Sequence, residues 1–199
     1  ERQMEHVKTF PYQARVLRAF YLFELARRYG DIPVPMKMLS IEEANTIAKT
    51  PFDQVIDFIV TECDECAPNL PTTYIGMLDD EYGRATKGFA MAVKTKALLY
   101  AASKLHNPEM DPEKWKKAAL AAQDVINLGI YVLDSGDKVN TTASPENILI
   151  RMNSESNSFE EYNFPVRFTE GQRTYMSGTY PTQNLVDAFQ TINGYDVTL

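Results

Sequence analysis

The sequence predicts a mainly α-helical fold in which four long helices, arranged as two antiparallel pairs, precede an irregular region with short strands. Three observations carry this. Apolar residues recur at helical spacing from Val7 to Leu128, in blocks bounded by capping residues, Pro and Gly. After Gly129 that periodicity stops, and a stretch rich in Ser, Asn, Glu and aromatic residues follows. The 199 residues are 44% hydrophobic and 24% charged, which is ordinary for a globular chain and excludes disorder along its whole length.

The first helix is expected from about Val7 to Tyr29. Val16, Leu17, Ala19, Phe20, Leu22, Phe23, Leu25 and Ala26 cover most of its circumference, so it is expected to pack on more than one side. Gly30 ends it. Asp31-Ile32-Pro33-Val34-Pro35 must then be extended, because each Pro disfavours helix in its predecessor. Ser40-Ile41-Glu42-Glu43 reads as a capping box opening a short helix to about Ala48. The second long helix starts with Thr50 as N-cap and Pro51 at its first position, and stops near Ala67-Pro68. A loop over 69–82 carries Asp79-Asp80-Glu81. The third helix follows Gly83-Arg84-Ala85-Thr86 and reaches Asn107-Pro108. It is rich in small residues (Ala90, Ala92, Ala97, Ala101, Ala102) that let a neighbouring helix approach closely. Asp111 caps the fourth helix and Pro112 begins it. Trp115, Ala118, Ala119, Ala122, Val125 and Ile126 form one stripe, which places Trp115 in the core, and Gly129 closes the helix. Ile130–Leu133 and Ile148–Ile150 read as short strands or extended segments. Residues 153–183 read as a long loop, the kind that is functional or disordered. Gln183–Gln190 has a short helical pattern.

The formal net charge of −7 excludes the usual nucleic-acid binder and argues against docking on anionic lipid. No window approaches the ~20 apolar residues of a membrane-spanning helix. The charged first residues form no signal peptide, and position 1 is not Met, so the absence of a targeting segment says nothing about location. Cys63 and Cys66 fall on the buried stripe of the second long helix, at its end rather than at the N-terminus that activates a redox thiol. They are expected to be free, buried and inert. Zinc would need two further ligands, and the chain holds only His6 and His106 as histidines. No nucleophile elbow, phosphate-binding loop, zinc-protease helix or dinucleotide fingerprint is present. Glu42/Glu43 and Glu160/Glu161 are neighbours in sequence, which fits a solvated face and does not make a catalytic pair. Asp79-Asp80-Glu81 lacks regular calcium-ligand spacing.

One cluster does suggest chemistry. Phe159, Tyr162, Phe164, Phe168, Tyr175 and Tyr180 lie close together, beside Arg167, Gln172 and Arg173. Sugars present apolar C–H faces with a rim of hydroxyls. Flat aromatic platforms flanked by Arg, Asn or Gln suit them. Tyr162, Phe168, Arg173, Tyr175 and Tyr180 are the candidate ligand-binding residues. The competing reading is that these aromatics pack the irregular part onto the helices.

Several segments resemble the SusD/RagB family. Arg15-Val16-Leu17-Arg18-Ala19-Phe20-Tyr21-Leu22-Phe23-Glu24-Leu25 with Tyr29-Gly30-Asp31-Ile32-Pro33-Val34 resembles its opening helix. Gly83-Arg84-Ala85-Thr86-Lys87-Gly88, the run from Trp115 to Leu133, Pro145-Glu146-Asn147-Ile148-Leu149, and Tyr180-Pro181-Thr182-Gln183 through Asn193-Gly194 follow in family order. The resemblance implies tetratricopeptide-like antiparallel helix pairs over 1–130 and a ligand-binding irregular region over 131–199. It implies a central fragment of a longer protein. It further implies a surface-exposed outer-membrane lipoprotein of Bacteroidetes that captures glycans or other nutrients for polysaccharide utilization. The partner implied is a SusC-type TonB-dependent transporter, with no catalysis, cofactor or metal. Two other readings stay open: a helical scaffold for protein–protein contact without its own ligand site, and a glycosidase, whose carboxylates carry no fixed spacing.

Overall fold

The computed structural model describes residues 7–74, 83–134, 141, 144–151, 167–169, 172–174 and 182–189. The chain divides into two compact units, Glu1–Met152 and Asn153–Leu199. The change in sequence character at 130/131 thus precedes the division, and residues 131–151 belong by their contacts to the first unit.

The first unit holds α1 (Phe10–Tyr29), α2 (Ile41–Thr46), α3 (Phe52–Cys66) with a 3₁₀ turn at Ala67–Asn69, α4 (Lys87–Ala102) and α5 (Pro112–Asn127). Several ends follow local signals. Gly30 takes φ 70° and donates its N–H to Ala26 O at 2.8 Å, closing α1. Ser40 and Glu43 exchange both bonds of the capping box, at 3.2 and 2.9 Å. Thr86 accepts from Phe89 N at 3.2 Å, and Asp111 from Glu113 N at 2.9 Å. The start of α3 departs from expectation. Thr50 is not its cap: it bridges to Ile32, donating to Ile32 O at 2.8 Å. Pro51 sits at the cap position, and the carboxylate that accepts from Phe52 N at 2.8 Å is that of Asp31. A side chain distant in sequence thus ties the end of α1 to the start of α3. The third long helix ends earlier than expected. After Ala102, buried Asn107 closes the turn, its amide oxygen accepting from Asp111 N at 2.9 Å and its NH₂ donating to Asp111 O at 3.1 Å.

Cross-helix contacts give the directions. The start of α1 meets the end of α3 through Arg15 and Glu62, and the end of α1 meets the start of α3 through Asp31 and Phe52, so the two are antiparallel. His106, just beyond α4, stacks on Phe52 with ring centroids 3.6 Å apart, while Lys94 pairs with Asp64 at 2.7 Å; α3 and α4 are antiparallel. Gln13 to Arg84, Phe20 to Phe89 and Phe23 to Tyr100 run in step, so α1 and α4 are parallel. The short turn through Asn107 returns α5 against α4. One core cluster joins Val16, Ala19, Leu22 and Phe23 of α1, Val55, Ile56 and Ile59 of α3, and Phe89, Ala90, Val93, Ala97 and Ala101 of α4. Cys63 and Cys66 are free and buried, and burial pushes the Cys63 thiol up to about 12.

Two burial expectations are corrected. Among the described residues α1 is closed by α3 and α4 but carries an open ridge of Phe10, Leu17, Tyr21, Leu25 and Tyr29, with Tyr21 63% exposed. Trp115 is not core: it is 41% exposed. The buried arc of α5 is narrow and contains Ala118 and Ala121. At 3.6 residues per turn, Trp115, Ala119 and Ile126 lie ~60–100° round the helix from Ala118. Of the two forms expected for Ile130–Leu133 and Ile148–Ile150, strand is not the one found: among the described residues neither stretch is part of a strand, and the bond from Val132 N to Pro145 O at 3.3 Å is no ladder.

The second unit contains an antiparallel hairpin, β1 (Arg167–Thr169) and β2 (Gln172–Thr174), and α6 (Gln183–Asp187). The expected long loop over 153–183 therefore carries regular structure within it. No helix among the described residues is long and apolar enough to cross a membrane.

Because Trp115 keeps 41% of its surface in water, Trp115→Ala is expected to cost less than about 2 kcal/mol, whereas Phe23→Ala, fully buried, should cost about 3–5 kcal/mol. Urea unfolding of both variants checks the order. A second expectation concerns Glu62. Hydrogen bonds from Arg15, against the cost of burial, hold its carboxyl below the usual range. That stabilisation is complete above the unfolded carboxyl value of 4.5 and is lost as pH falls through the depressed native value. Denaturation of wild type and Glu62→Gln across pH should show a stability gap at neutrality that closes in acid.

Candidate ligand-binding site

The described part of the first unit contains a cavity of about 210 Å³ at the N-terminus of α4. Its walls are Thr72–Tyr74, Gly83, Arg84 and Thr86 on the approach to α4, Ile130-Tyr131, Ser144-Pro145 and Asn147–Ile150. The Gly83-Arg84-Ala85-Thr86-Lys87-Gly88 motif explains how these come together. Gly83 has φ +81°, and a Cβ there would lie 2.7 Å from Ile150 O, so only glycine lets that backbone approach. A Cβ on Gly88 would overlap the Tyr131 hydroxyl and ring. Thr86 caps α4 and hydrogen-bonds Tyr131, which partly offsets the rise in the Tyr131 phenol caused by burial. Two further bonds brace the outer wall. Asp134 N donates to Glu146 Oε1 at 2.6 Å, and Asn147 Nδ2 donates to Thr141 O at 2.7 Å. Arg84 donates to Gln13 Oε1 at 3.1 Å and lies 4.9 Å from the Phe10 ring centroid and 5.9 Å from that of Tyr74.

The chemistry of this cavity is neutral and mixed. Tyr74, Tyr131 and four Ile or Leu residues supply apolar wall; Thr, Ser and Asn supply hydroxyl and amide groups; Arg84 is the one cation of the described lining. The described lining contains no Asp, Glu, His or Cys, so it offers no group to move a proton near neutral pH. Among the described residues no three His, Cys, Asp or Glu side chains are placed to hold a metal ion. Asp79-Asp80-Glu81 lies outside those residues.

Phe168 and Arg173 are directly opposite each other in the β1–β2 register. Tyr162, Tyr175 and Tyr180 lie outside the described residues, as do Phe159 and Phe164. The sequence reading missed Tyr74, Tyr131 and Asn147, although the two glycines of the 83–88 motif could have signalled that other chain comes close there.

No family model matches the sequence, and no curated protein matches it. Solved structures do. A SusD-like carbohydrate-binding protein from Bacteroides fragilis aligns over 67% of this chain and 24% of its own, with 28% identity and a TM-score of 0.55. A SusD-like protein from the same species covers 98% of this chain and 38% of its own at 23% identity, with a TM-score of 0.71, a likeness of fold. This chain has a SusD-like fold. A surface glycan-binding protein A from Bacteroides uniformis adds a TM-score of 0.51 at 25% identity, over 65% of this chain and 27% of its own. The SusD-like chain thus spans between 24% and 38% of the length of these three structures.

The close approach at α4 gives a direct test. Gly88→Ala should destabilise by about 1–3 kcal/mol through overpacking against Tyr131. Pairing it with Tyr131→Ala should cost less than the sum of the two single changes, and a double-mutant cycle in urea measures that coupling.

Proposed function

We propose that this chain is part of a surface glycan-binding protein that captures oligosaccharides, or another nutrient, for uptake and does not cleave them. The observation that carries the proposal is the SusD-like fold, shared at 28% identity with a carbohydrate-binding protein of that kind. Residues 131–199 are the ligand-binding region in this reading, and residues 1–130 the tetratricopeptide-like helical part. Tyr162, Phe168, Arg173, Tyr175 and Tyr180 are the contacts. The rings stack on sugar faces, and Arg173 donates to hydroxyls. Binding is weak, because each sugar hydroxyl exchanges one hydrogen bond for another at a net ~0.5–1.5 kcal/mol. The parent protein sits at the outer-membrane surface on a lipid anchor and works with a SusC-type TonB-dependent transporter. No hydrolysis is assigned to it.

A second reading, a helical scaffold that contacts another protein, is favoured by one observation. The open ridge of Phe10, Leu17, Tyr21, Leu25 and Tyr29 runs the length of α1. Contiguous apolar surface of this kind marks interaction sites. The two readings are compatible, since different units would serve them.

Isothermal titration with oligosaccharides tests the first. Tyr175→Ala, Tyr180→Ala, Tyr162→Ala and Arg173→Ala should each weaken binding by about 1 kcal/mol, roughly fivefold. No new reducing ends should appear on prolonged incubation. If none of the four changes affinity in a protein that binds glycan, the contacts lie outside 159–180; release of product would instead indicate a glycosidase.

A further inference from the structure

Resting on the glycan-binding reading above, we infer that the cavity beside α4 is a second sugar subsite that holds one pyranose ring, in addition to the contacts proposed within 159–180. Its size sets the occupant. About 210 Å³ lies below the ~300–1,000 Å³ of sites for drug-sized ligands, which suits one ring and not a chain. Thr72, Gly83 and Pro145 in its lining are exposed, so the cavity opens to solvent.

The walls hold their shape without a ligand. Gly83 lets Ile150 O approach, and the Tyr131 ring is seated on Gly88 and bonded to Thr86. The bonds from Asp134 N to Glu146 and from Asn147 Nδ2 to Thr141 O fix the outer wall. A site formed beforehand loses little ordering entropy on binding. Its polar groups then decide the class of ligand. Among the described residues, Asn147 Oδ1, the Thr72 hydroxyl and the backbone N–H and C=O groups of Ile148 and Leu149 have no hydrogen-bond partner. They share the lining with the Tyr74 and Tyr131 rings, the combination of apolar surface and hydroxyl partners that a sugar ring needs. A wholly apolar occupant would leave those polar groups unpaired. A cationic one would meet Arg84 with no carboxylate in the described lining.

Saturation-transfer NMR and isothermal titration of the 199-residue chain test this, with the methyl glycosides of glucose, galactose, mannose, xylose and N-acetylglucosamine as probes. At least one should bind, with a Kd on the order of 1 mM, as suits one ring making a few hydrogen bonds. Thr72 is exposed and makes no hydrogen bond among the described residues, so Thr72→Trp should fold and obstruct the cavity. Asn147→Leu removes the amide oxygen and gives an independent answer. Each should weaken methyl glycoside binding at least about tenfold, with urea midpoints confirming that the variants are folded. Binding that stays within about twofold of wild type in both folded variants overturns the subsite and leaves the contacts within 159–180 standing. Oligosaccharide binding without methyl glycoside binding does the same. Binding of no sugar of either kind overturns the glycan-binding reading itself, and this inference with it.

Discussion

Glu62 sets the register of the helical unit. It sits on α3 in the seam with α1 and is only 7% exposed. Taking a carboxylate out of water costs several kcal/mol unless opposite charge and hydrogen bonds replace its hydration. Arg15 supplies two bonds, at 3.0 and 2.7 Å, and Arg18 a third at 2.8 Å; Arg15 also reaches Glu65. All these donors come from one helix, four turns of which carry the apolar face that meets α3. Sliding or rotating α1 by one residue would swing each guanidinium by about 100° and strand the carboxylate. The apolar cluster provides most of the burial energy but tolerates several packings; the charge cluster tolerates one. Among the described residues Arg18 Nε has no hydrogen-bond partner, and its guanidinium lies 5.5 Å from the Phe58 ring centroid. That contact is the compromise by which one residue serves both kinds of packing.

From that seam outward, close approach replaces charge. α4 lies against α1, α3 and α5, and its buried positions are largely Gly88, Ala90, Ala97, Ala101 and Ala102. Small residues let three neighbours share one helix without large side chains competing for the same space. The same logic continues past the N-terminus of α4. Gly88 admits the Tyr131 ring, and Gly83 admits the backbone of Ile150. The cavity is what remains between these contacts. It forms because two pieces of irregular chain are pinned to one helix end by glycines and a Thr86–Tyr131 bond.

How much was legible in the sequence divides along the line between local and distant causes. The capping box at Ser40 and Glu43, the Asp111-Pro112 start of α5, and the Thr86 cap are local patterns, and each was readable. The cap of α3 was not, because its acceptor is Asp31 on another segment, while Thr50 was drawn into a bridge with Ile32. Trp115 illustrates the limit of periodicity. A stripe gives the direction of the apolar face, but the width of its burial depends on how much of the neighbour it meets, and α5 meets little beyond Ala118 and Ala121. Of the two forms expected at 130–133 and 148–150, strand pairing is absent for a related reason. Their β-branched composition suits a pleated sheet, yet a strand needs a partner ladder, and side chains such as Glu146 and Asn147 satisfied nearby groups instead. For the candidate ligand region the composition was legible, and pairing was not: only the register brings Phe168 opposite Arg173.

That separation bears on how such a fold supports different ligands. The bonds that hold the helical unit in register, from Arg15 and Arg18 to Glu62 and from Asp31 to Phe52, involve no residue of 153–199. A three-residue strand pair has few hydrogen bonds of its own, so changes in its side chains carry little penalty in backbone energy. Glu62, Gly83 and Gly88 are tied to the packing of the helical unit and resist exchange. A fold shared at 17–29% identity with solved structures does not by itself fix a ligand.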